Sequence, residues 1–597
     1  IRDLVRSRGL GDVYKRQGIM LGSENFNHLV LWVCFLSTIE SKSYFINIFY
    51  SIKRLASWLL LICLSEVRLH DLIVLDKNMT ESSYSNVNDN TPVLVGCSQY
   101  LGKKGLDGPN YLDILSVATK AAIADCEAKN DIAAHLDTIS VIRFTADTPN
   151  RDSATTELWG YPNMPRSIAN VLGITVPDEI YTTTGGNSPQ LLLNELCNRI
   201  KDGESNCAVL TGGEALDTFV SRLKSGAEMD WEDDPGGEPE SLGSLKELGS
   251  EFEMRHGIFD PSSVYPLFAN SIRKSEGKSS LQHMQDIGNL FSEFSKVAAV
   301  NEHAWFKVHR SPEEIVEVSP QNRMVGFPYT KYMNSIMRVN QSAALVVTSA
   351  KKARELGIPE SKWIFMYGGA SLNDVWNITD RDNLHSSPAI NKCSEAVFSK
   401  SGLKVSDVSH FDLYSCFPSA VQIAKKEIGI PDDDTRSLTV TGGLPYYGGP
   451  GSAYVVNSIA GMMNKLREDN GSFGLLNANG WFLTKHALGL FSSKPFEGEW
   501  DQVADTSHTQ IEIDNSASSQ FIEEANGRGS IETYTVVNSR EAPTKAIIIG
   551  KLEDGKRFVA NTRKGDQDLL NKMMSNEMLD AKGTVKFEDS RNVFQPD

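Results

Sequence analysis

The chain has 597 residues, 40% hydrophobic and 23% charged, an ordinary balance for a globular protein and enough length for about three or four domains. A formal net charge of -17 and a pI near 5.2 argue against nucleic-acid partners, which need a basic face, and against an anionic membrane surface. Eight cysteines show neither paired metal-ligand spacing nor a dense disulfide pattern, so a reducing, cytoplasmic location and no metal are expected.

Residues 1–78 read unlike the rest. They are rich in Leu, Ile, Phe, Ser and Lys without a globular period, and are expected to be a non-native or untranslated leader, with Met79 as the start. The apolar runs Leu29 to Phe35 and Leu55 to Leu64 fall well short of the ~20 residues of a spanning helix, and no signal-peptide succession opens the chain.

From Pro92 the pattern is regular. Pro92-Val93-Leu94-Val95-Gly96 predicts a buried strand, apolar spacing from Leu112 to Ile123 a helix, and Ile139 to Phe144 a second strand. Glu179 to Thr184 predicts a third strand. The helix after it has Ser188 as N-cap, Pro189 in its first turn and Gly203 as its stop. Cys207 to Gly212 returns to the sheet. An insertion follows from about 217 to 334, holding the acidic, Gly/Pro-broken run Asp230 to Glu238, which reads as a solvated, mobile loop because no His is interleaved with its carboxylates. Asn340 to Ser349 is again strand-like. The helix-then-strand order of Ala118 to Phe144 then recurs from Lys392 to Phe417, with Leu136-Asp137-Thr138-Ile139 facing Val408-Ser409-His410-Phe411; a duplicated α/β unit explains this. Beyond about Glu497, strand-like runs at Ile531 to Val537, Ala546 to Leu552, Arg557 to Asn561 and Thr584 to Phe587, with a helix near Leu569 to Met574, predict a small, partly open OB-like barrel. It lacks an aromatic ladder alternating with Lys or Arg, so nucleic acid is not expected there.

Two motifs carry the chemistry: Asp412-Leu413-Tyr414-Ser415-Cys416-Phe417-Pro418, and Gly442-Gly443-Leu444-Pro445-Tyr446-Tyr447-Gly448-Gly449-Pro450-Gly451-Ser452-Ala453. The pair resembles two active-site blocks of the thiolase superfamily, which in sterol-carrier-protein-type thiolases read His-Asp-Cys-Phe and Gly-Gly-(few)-Gly-His-Pro-x-Gly-Ala. Asn340-Gln341-Ser342-Ala343-Ala344 resembles a third block. The family cysteine is kept as Cys416, while the family histidine falls on Gly449. With the appended β domain, the chain resembles the thiolase-like protein type 1 group of acetyl-CoA acetyltransferase-like proteins. The resemblance implies a duplicated thiolase fold, two βαβαβαββ-type halves in five αβαβα layers, with halves at 91–350 and 351–496 and an additional C-terminal domain at 497–597.

A thiolase needs a nucleophilic thiol, a base, a second acid/base thiol and two oxyanion holes. The nucleophile belongs at Thr183-Thr184-Gly185-Gly186-Asn187-Ser188, which holds no cysteine; the hydroxyls of Thr184 and Ser188 would need an adjacent base. Cys416, before a helix start, is expected to gain thiolate character from the helix end. His486, where the last catalytic loop should be, is the candidate base. Ligand-binding candidates are Tyr414, Gly448, Gly449, Asn479 and Ser188. The resemblance implies acyl transfer, or carbon–carbon bond making or breaking beside a thioester, with CoA or acyl-CoA as substrate and no permanently bound cofactor. A degenerate acyl-CoA-binding protein and a scaffold subunit are the alternatives. A monomer or homodimer without membrane or nucleic-acid partner is expected.

Overall fold

The computed structural model describes residues 84–597 apart from 148–159, 230, 245, 247–248 and 517–519, and the leader expected at 1–78 lies outside the described residues. The chain runs β1 (Pro92–Leu101), α1 (Tyr111–Asp125), β2 (Thr138–Val141), α2 (Met164–Leu172), β3 (Asp178–Tyr181), α3 (Ser188–Asp202) and β4 (Cys207–Ala215). Between β4 and β7 (Asn340–Ser349) come α4 (Leu216–Ser225), α5 (Pro261–Ser275), α6 (Ser280–Val300), β5 (Met324–Gly326) and β6 (Tyr329–Thr330). The second half holds β8 (Ile364–Asn373), α7 (Pro388–Ser401), β9 (His410–Leu413), α8 (Pro418–Ile428), α9 (Tyr454–Glu468), β10 (Phe473–Gly480) and β11 (Lys485–Ser492). After α10 (Ser507–Asp514) come β12 (Gly527–Asn538), β13 (Pro543–Leu552), β14 (Arg557–Asn561), α11 (Gln567–Ser575), β15 (Lys582–Glu588) and β16 (Arg591–Pro596).

Local chemistry sets these limits. Asn110 caps α1 reciprocally with Asp113, and Gly203, at φ +78°, ends α3 in the left-handed region. The cap of α3 is Asn187, however, and Ser188 is already helical.

Nine strands form one sheet in the order β3-β2-β4-β7-β1-β8-β11-β10-β9. Read outward from its middle, the first half contributes its first, fifth, fourth, second and third strands, and the second half repeats that order without a third. The duplication expected from the recurring pattern is therefore visible as topology, and the halves join through the antiparallel pairs Val93↔Phe365 and Leu94↔Ile364. α3 and α9 touch strands of both halves, while α1 and α2 cover one outer face and α7 and α8 the other, which gives the αβαβα layering. The chain itself runs beside both end strands. Beside β3, Tyr181 N–H donates to Glu240 O (2.8 Å), Glu240 N–H to Glu179 O (2.7 Å) and Thr183 N–H to Leu242 O (2.8 Å); beside β9, Leu413 N–H donates to Leu438 O (2.9 Å).

The acidic run differs from the mobile loop expected of it. Trp231 is buried against Phe219, and Gly236 O accepts from Asn163 Nδ2 (3.1 Å) and Arg166 Nη1 (3.0 Å). An aromatic anchor and two side-chain donors outweigh its charge.

β12 to β16 close a five-stranded barrel in the order β12-β13-β14-β16-β15, back to β12, with β14 and β16 parallel, and α11 lies between β14 and β15 in the chain. This is the OB arrangement. Its fifth strand, β16, was not expected, because buried Asn592 reads as polar; its side-chain Nδ2 donates to Glu523 O and Val559 O, and its backbone N–H donates to His256 Nε2. Alternation along β13 divides the work, with Ala546 and Ile548 facing the barrel interior and Ile547 and Ile549 joining the thiolase core. Arg557 fixes the same junction, donating to Thr379 O (3.0 Å), Asp382 O (2.8 Å) and Arg381 O while paired with Glu532. Among the described residues no helix is long and apolar enough to cross a membrane, and no cluster of metal-ligating side chains occurs.

Candidate active site

Asp412 organises the first motif from below. Its buried carboxylate accepts from the N–H groups of Val440 and Thr441 (3.0 Å each) and from the hydroxyls of Thr439, Thr441, Tyr454 and Ser458, which ties the end of β9 to the chain entering the glycine motif. Such a group must be hydrogen-bonded to be buried at all. Tyr414 N–H then donates to Asn477 Oδ1 on β10 (2.9 Å), so the turn carrying Cys416 is set by the neighbouring strand.

A cavity of about 720 Å³ opens at this turn. Its walls include Thr184, Gly185 and Gly186 from the β3–α3 junction, Tyr414, Cys416 and Phe417, Gly449 and Ser452 from the glycine motif, Asn479 and Trp481, and Phe259, Tyr265 and Met337 from the insertion. Asn479 Nδ2 donates to the Tyr265 hydroxyl (2.8 Å) and stands 3.8 Å from Cys416 Sγ. The Tyr265 hydroxyl donates to Trp481 O (2.8 Å) and accepts from Leu483 N–H (3.3 Å), while its ring stacks on Phe417 at 4.4 Å. Tyr265 was missed in the sequence because it lies on α5, a helix with an internal Pro266 inside the insertion.

The thiolate expected at Cys416 is not what its surroundings favour. Burial outweighs the help of Tyr265, the Phe417 and Cys416 N–H groups and Asn479, and pushes the thiol pKa up to about 12. Cys416 is a proton-bearing thiol at neutral pH. Tyr414 is likewise held neutral by burial, with its hydroxyl close against Gly186, where an added Cβ would meet it at 2.2 Å.

Three sequence candidates fall outside the cavity lining. His486 lies within β11, fully buried, its Nε2 on Asp374 Oδ2 (3.1 Å); that carboxylate also accepts from Ser387 Oγ and Ala389 N–H at the start of α7. The expected Cys416–His486 pair is not assembled. Ser188 turns its hydroxyl onto Thr183 O (3.0 Å), inside its own loop. Gly448, at φ +117°, packs where a Cβ would meet Gln341 Oε1 at 2.1 Å, which is a turn role. Gly449 does line the cavity, but a Cβ there would lie 2.3 Å from Ser335 Oγ. Ser335 thus fills the space that a side chain at 449 would need.

At the nucleophile junction, Gly185 N–H donates to Ser452 Oγ (2.9 Å), and among the described residues no titratable side chain is hydrogen-bonded to the Thr184 or Ser188 hydroxyl. The charged residues of the lining are Lys246 and Asp260.

Residues 508–590 match the thiolase-like protein type 1 additional C-terminal domain. Over the whole fold, the chain is similar to the crystal structure of a monomeric SCP2-thiolase like protein type 1 from Mycobacterium smegmatis, at 32% identity over 86% of this chain and 100% of that one, with a TM-score of 0.72. The chain belongs to the SCP2-thiolase-like protein type 1 family. The Ltp2–ChsH2 aldolase is similar at 18% identity, over 68% of this chain and 98% of that one, with a TM-score of 0.50. Acetyl-CoA acetyltransferase from Syntrophomonas wolfei is similar at 18% identity, over 68% and 100%, with a TM-score of 0.48. No curated protein matches the sequence. Among the described residues that line the cavity of this type 1 protein, Cys416 is the one cysteine and there is no histidine.

Proposed function

We propose that this protein binds an acyl-CoA or related thioester and makes or breaks a carbon–carbon bond beside the thioester in one step, without carrying the acyl group on cysteine. The observation that supports this is the Cys416 thiol, set with Tyr265 and Asn479 across a cavity from a β3–α3 junction that offers no thiol. A protonated thiol suits proton donation in cleavage of a β-hydroxyacyl thioester. The hydroxyl proton passes to solvent, and the fragment beyond the α-carbon leaves as an aldehyde or ketone while the carbon–carbon pair moves to the α-carbon. The S–H bond breaks as a C–H bond forms there, and the sulfur charge is received by the Asn479 amide and the Phe417 N–H until solvent reprotonates it. Apolar Phe259, Met254, Met337 and Leu444 suit an acyl or pantetheine chain. Lys246 is the one cation in the described lining, which supports a binding mode with the nucleotide end of CoA outside the cavity. CoA enters as substrate and not as a resident cofactor.

Deuterium incorporation at C2 of acetoacetyl-CoA, followed by NMR together with intact-protein mass spectrometry, tests the reading. Exchange is expected with the native protein and about a hundredfold less with Cys416→Ala, with no acyl adduct. An adduct on Thr184 or Ser188, or unchanged exchange in the variant, would reject it. The second reading, an acyl-CoA-binding protein without turnover, draws support from the position of His486 and from Ser335 beside Gly449; calorimetric binding of acyl-CoA without exchange or turnover distinguishes it.

A further inference from the structure

We propose that the appended barrel is a working part of the cavity: Arg557, acting through Arg381, sets the turn between β10 and β11 that holds the Tyr265 hydroxyl and the Asn479 amide beside the Cys416 thiol. This rests on the reading that the cavity is the working site, though not on its ligand being a thioester. The turn does not hold itself. Gly480 pairs with Lys485, and of the residues 481–484 between them Trp481, at φ +58°, and Leu483, at φ +50°, are non-glycine residues in the left-handed region. Such conformations persist only where the surroundings over-determine them. Here the restraint comes from one buried side chain: Arg381 donates from Nη1 to Phe482 O and from Nη2 to Thr484 Oγ1, both at 3.0 Å, and from Nε to Val375 O at 2.8 Å. The segment that carries Arg381 is held in turn by the barrel. Arg557, buried on β14, donates to the carbonyls of Thr379, Arg381 and Asp382, and its guanidinium is oriented by the Glu532 carboxylate of β12, 2.8 Å away through both Nε and Nη2.

On its other side the turn meets the site. Gly480, Trp481 and Phe482 line the cavity. Leu483 N–H donates to the Tyr265 hydroxyl (3.3 Å), which donates to Trp481 O (2.8 Å), so a donor and the acceptor that fix this hydroxyl both belong to the turn. Asn479, one residue before Gly480, donates to the same hydroxyl (2.8 Å) with its Nδ2 3.8 Å from Cys416 Sγ. A shift of the turn therefore displaces together the two side chains that face the sulfur, and a misplacement of about 1 Å costs on the order of a hundredfold in rate. Arg557 and Arg381 do not line the cavity, so they are positioning residues. Ile549 of β13 joins the barrel to the same core by apolar packing, with no part in this chain of hydrogen bonds.

The test follows the full chain, labelled with 5-fluorotryptophan, by fluorine NMR, with the Trp481 resonance identified from Trp481→Phe, and measures deuterium incorporation at C2 of acetoacetyl-CoA beside it. Arg557→Met is expected to move the Trp481 resonance and to lower kcat for exchange at least about tenfold with KM within about twofold, and Arg557→Lys to recover part of both. Ile549→Val is expected to lower the melting temperature while leaving resonance and exchange as they are. Should Arg557→Met not fold, Thr484→Val cuts the Arg381 Nη2 bond at the turn and is expected to give the same two changes. A Trp481 resonance unmoved by the variant, or moved equally by Ile549→Val, overturns the proposal. The two readings fail separately: a moved resonance in a protein whose native form shows no exchange upholds the positioning role and rejects the thioester function, while native exchange with an unmoved resonance does the reverse.

Discussion

Cys416 sits before the first turn of α8, where a thiol ordinarily ionises easily, yet the aromatic wall around it removes more solvation than the helix-end N–H groups restore. Iodoacetamide should therefore label it slowly in the native protein at pH 7, with a rate rising about tenfold per pH unit toward pH 9. Peptide mapping over that range checks this; a rate already level at pH 7 would contradict it. Lys485, buried at the start of β11, gives the opposite kind of signature. Below about pH 8 both folded and unfolded chains hold its proton, and the folded state bears a cost of about 3 kcal/mol for burying the charge. Between about 8 and 10.5 the unfolded chain binds the proton and the folded one releases it, so stability rises with pH. The difference in unfolding free energy between the native protein and Lys485→Met should favour the variant at pH 7 and shrink by pH 10, read from paired denaturant titrations.

Among the elements, the glycine motif shows how one altered residue is supported by another far away in sequence. Ser335 arrives at the end of the insertion, its N–H on Cys416 O (3.0 Å), and its hydroxyl fills the space a side chain at 449 would need. Gly449→His should destabilise by about 1–3 kcal/mol through overpacking, and Ser335→Ala should recover much of that in the double variant. Thermal melts of the four proteins in the cycle measure the coupling, and strict additivity would contradict the steric account. Much of this neighbourhood was legible beforehand: Cys416, Tyr414, Gly449 and Asn479 came from motifs whose strand and turn context is local. What escaped was set by tertiary packing. Tyr265 reaches the site on a helix whose Pro266 blurs its pattern, and Lys485 is desolvated only because Gly185, Trp481 and Trp376 enclose it. His486 drew attention as a histidine, but adjacent strand positions face opposite sides, and its side faces Asp374. The duplicated α/β order was readable because both halves keep the same succession, whereas β16 hid behind a satisfied buried Asn592.

At the scale of the whole molecule, the barrel shares the core of the thiolase halves through Ile547, Ile549 and Val559, and the insertion supplies walls of the cavity. The two halves and the insertion thus meet at the cavity. The sheet that carries the site also has its own chain beside both end strands, with Glu240 to Leu242 hydrogen-bonded along β3 and Leu438 to the last residue of β9, which shortens the backbone edge open to another sheet. Partly covered sheet ends of this kind have a kinetic meaning. A site completed by a partner loses output steeply when the protein is diluted past its association constant; a site completed within one chain does not. Ligand uptake or turnover per mole of protein should stay level across serial dilution from micromolar to nanomolar, and the sedimentation coefficient with it.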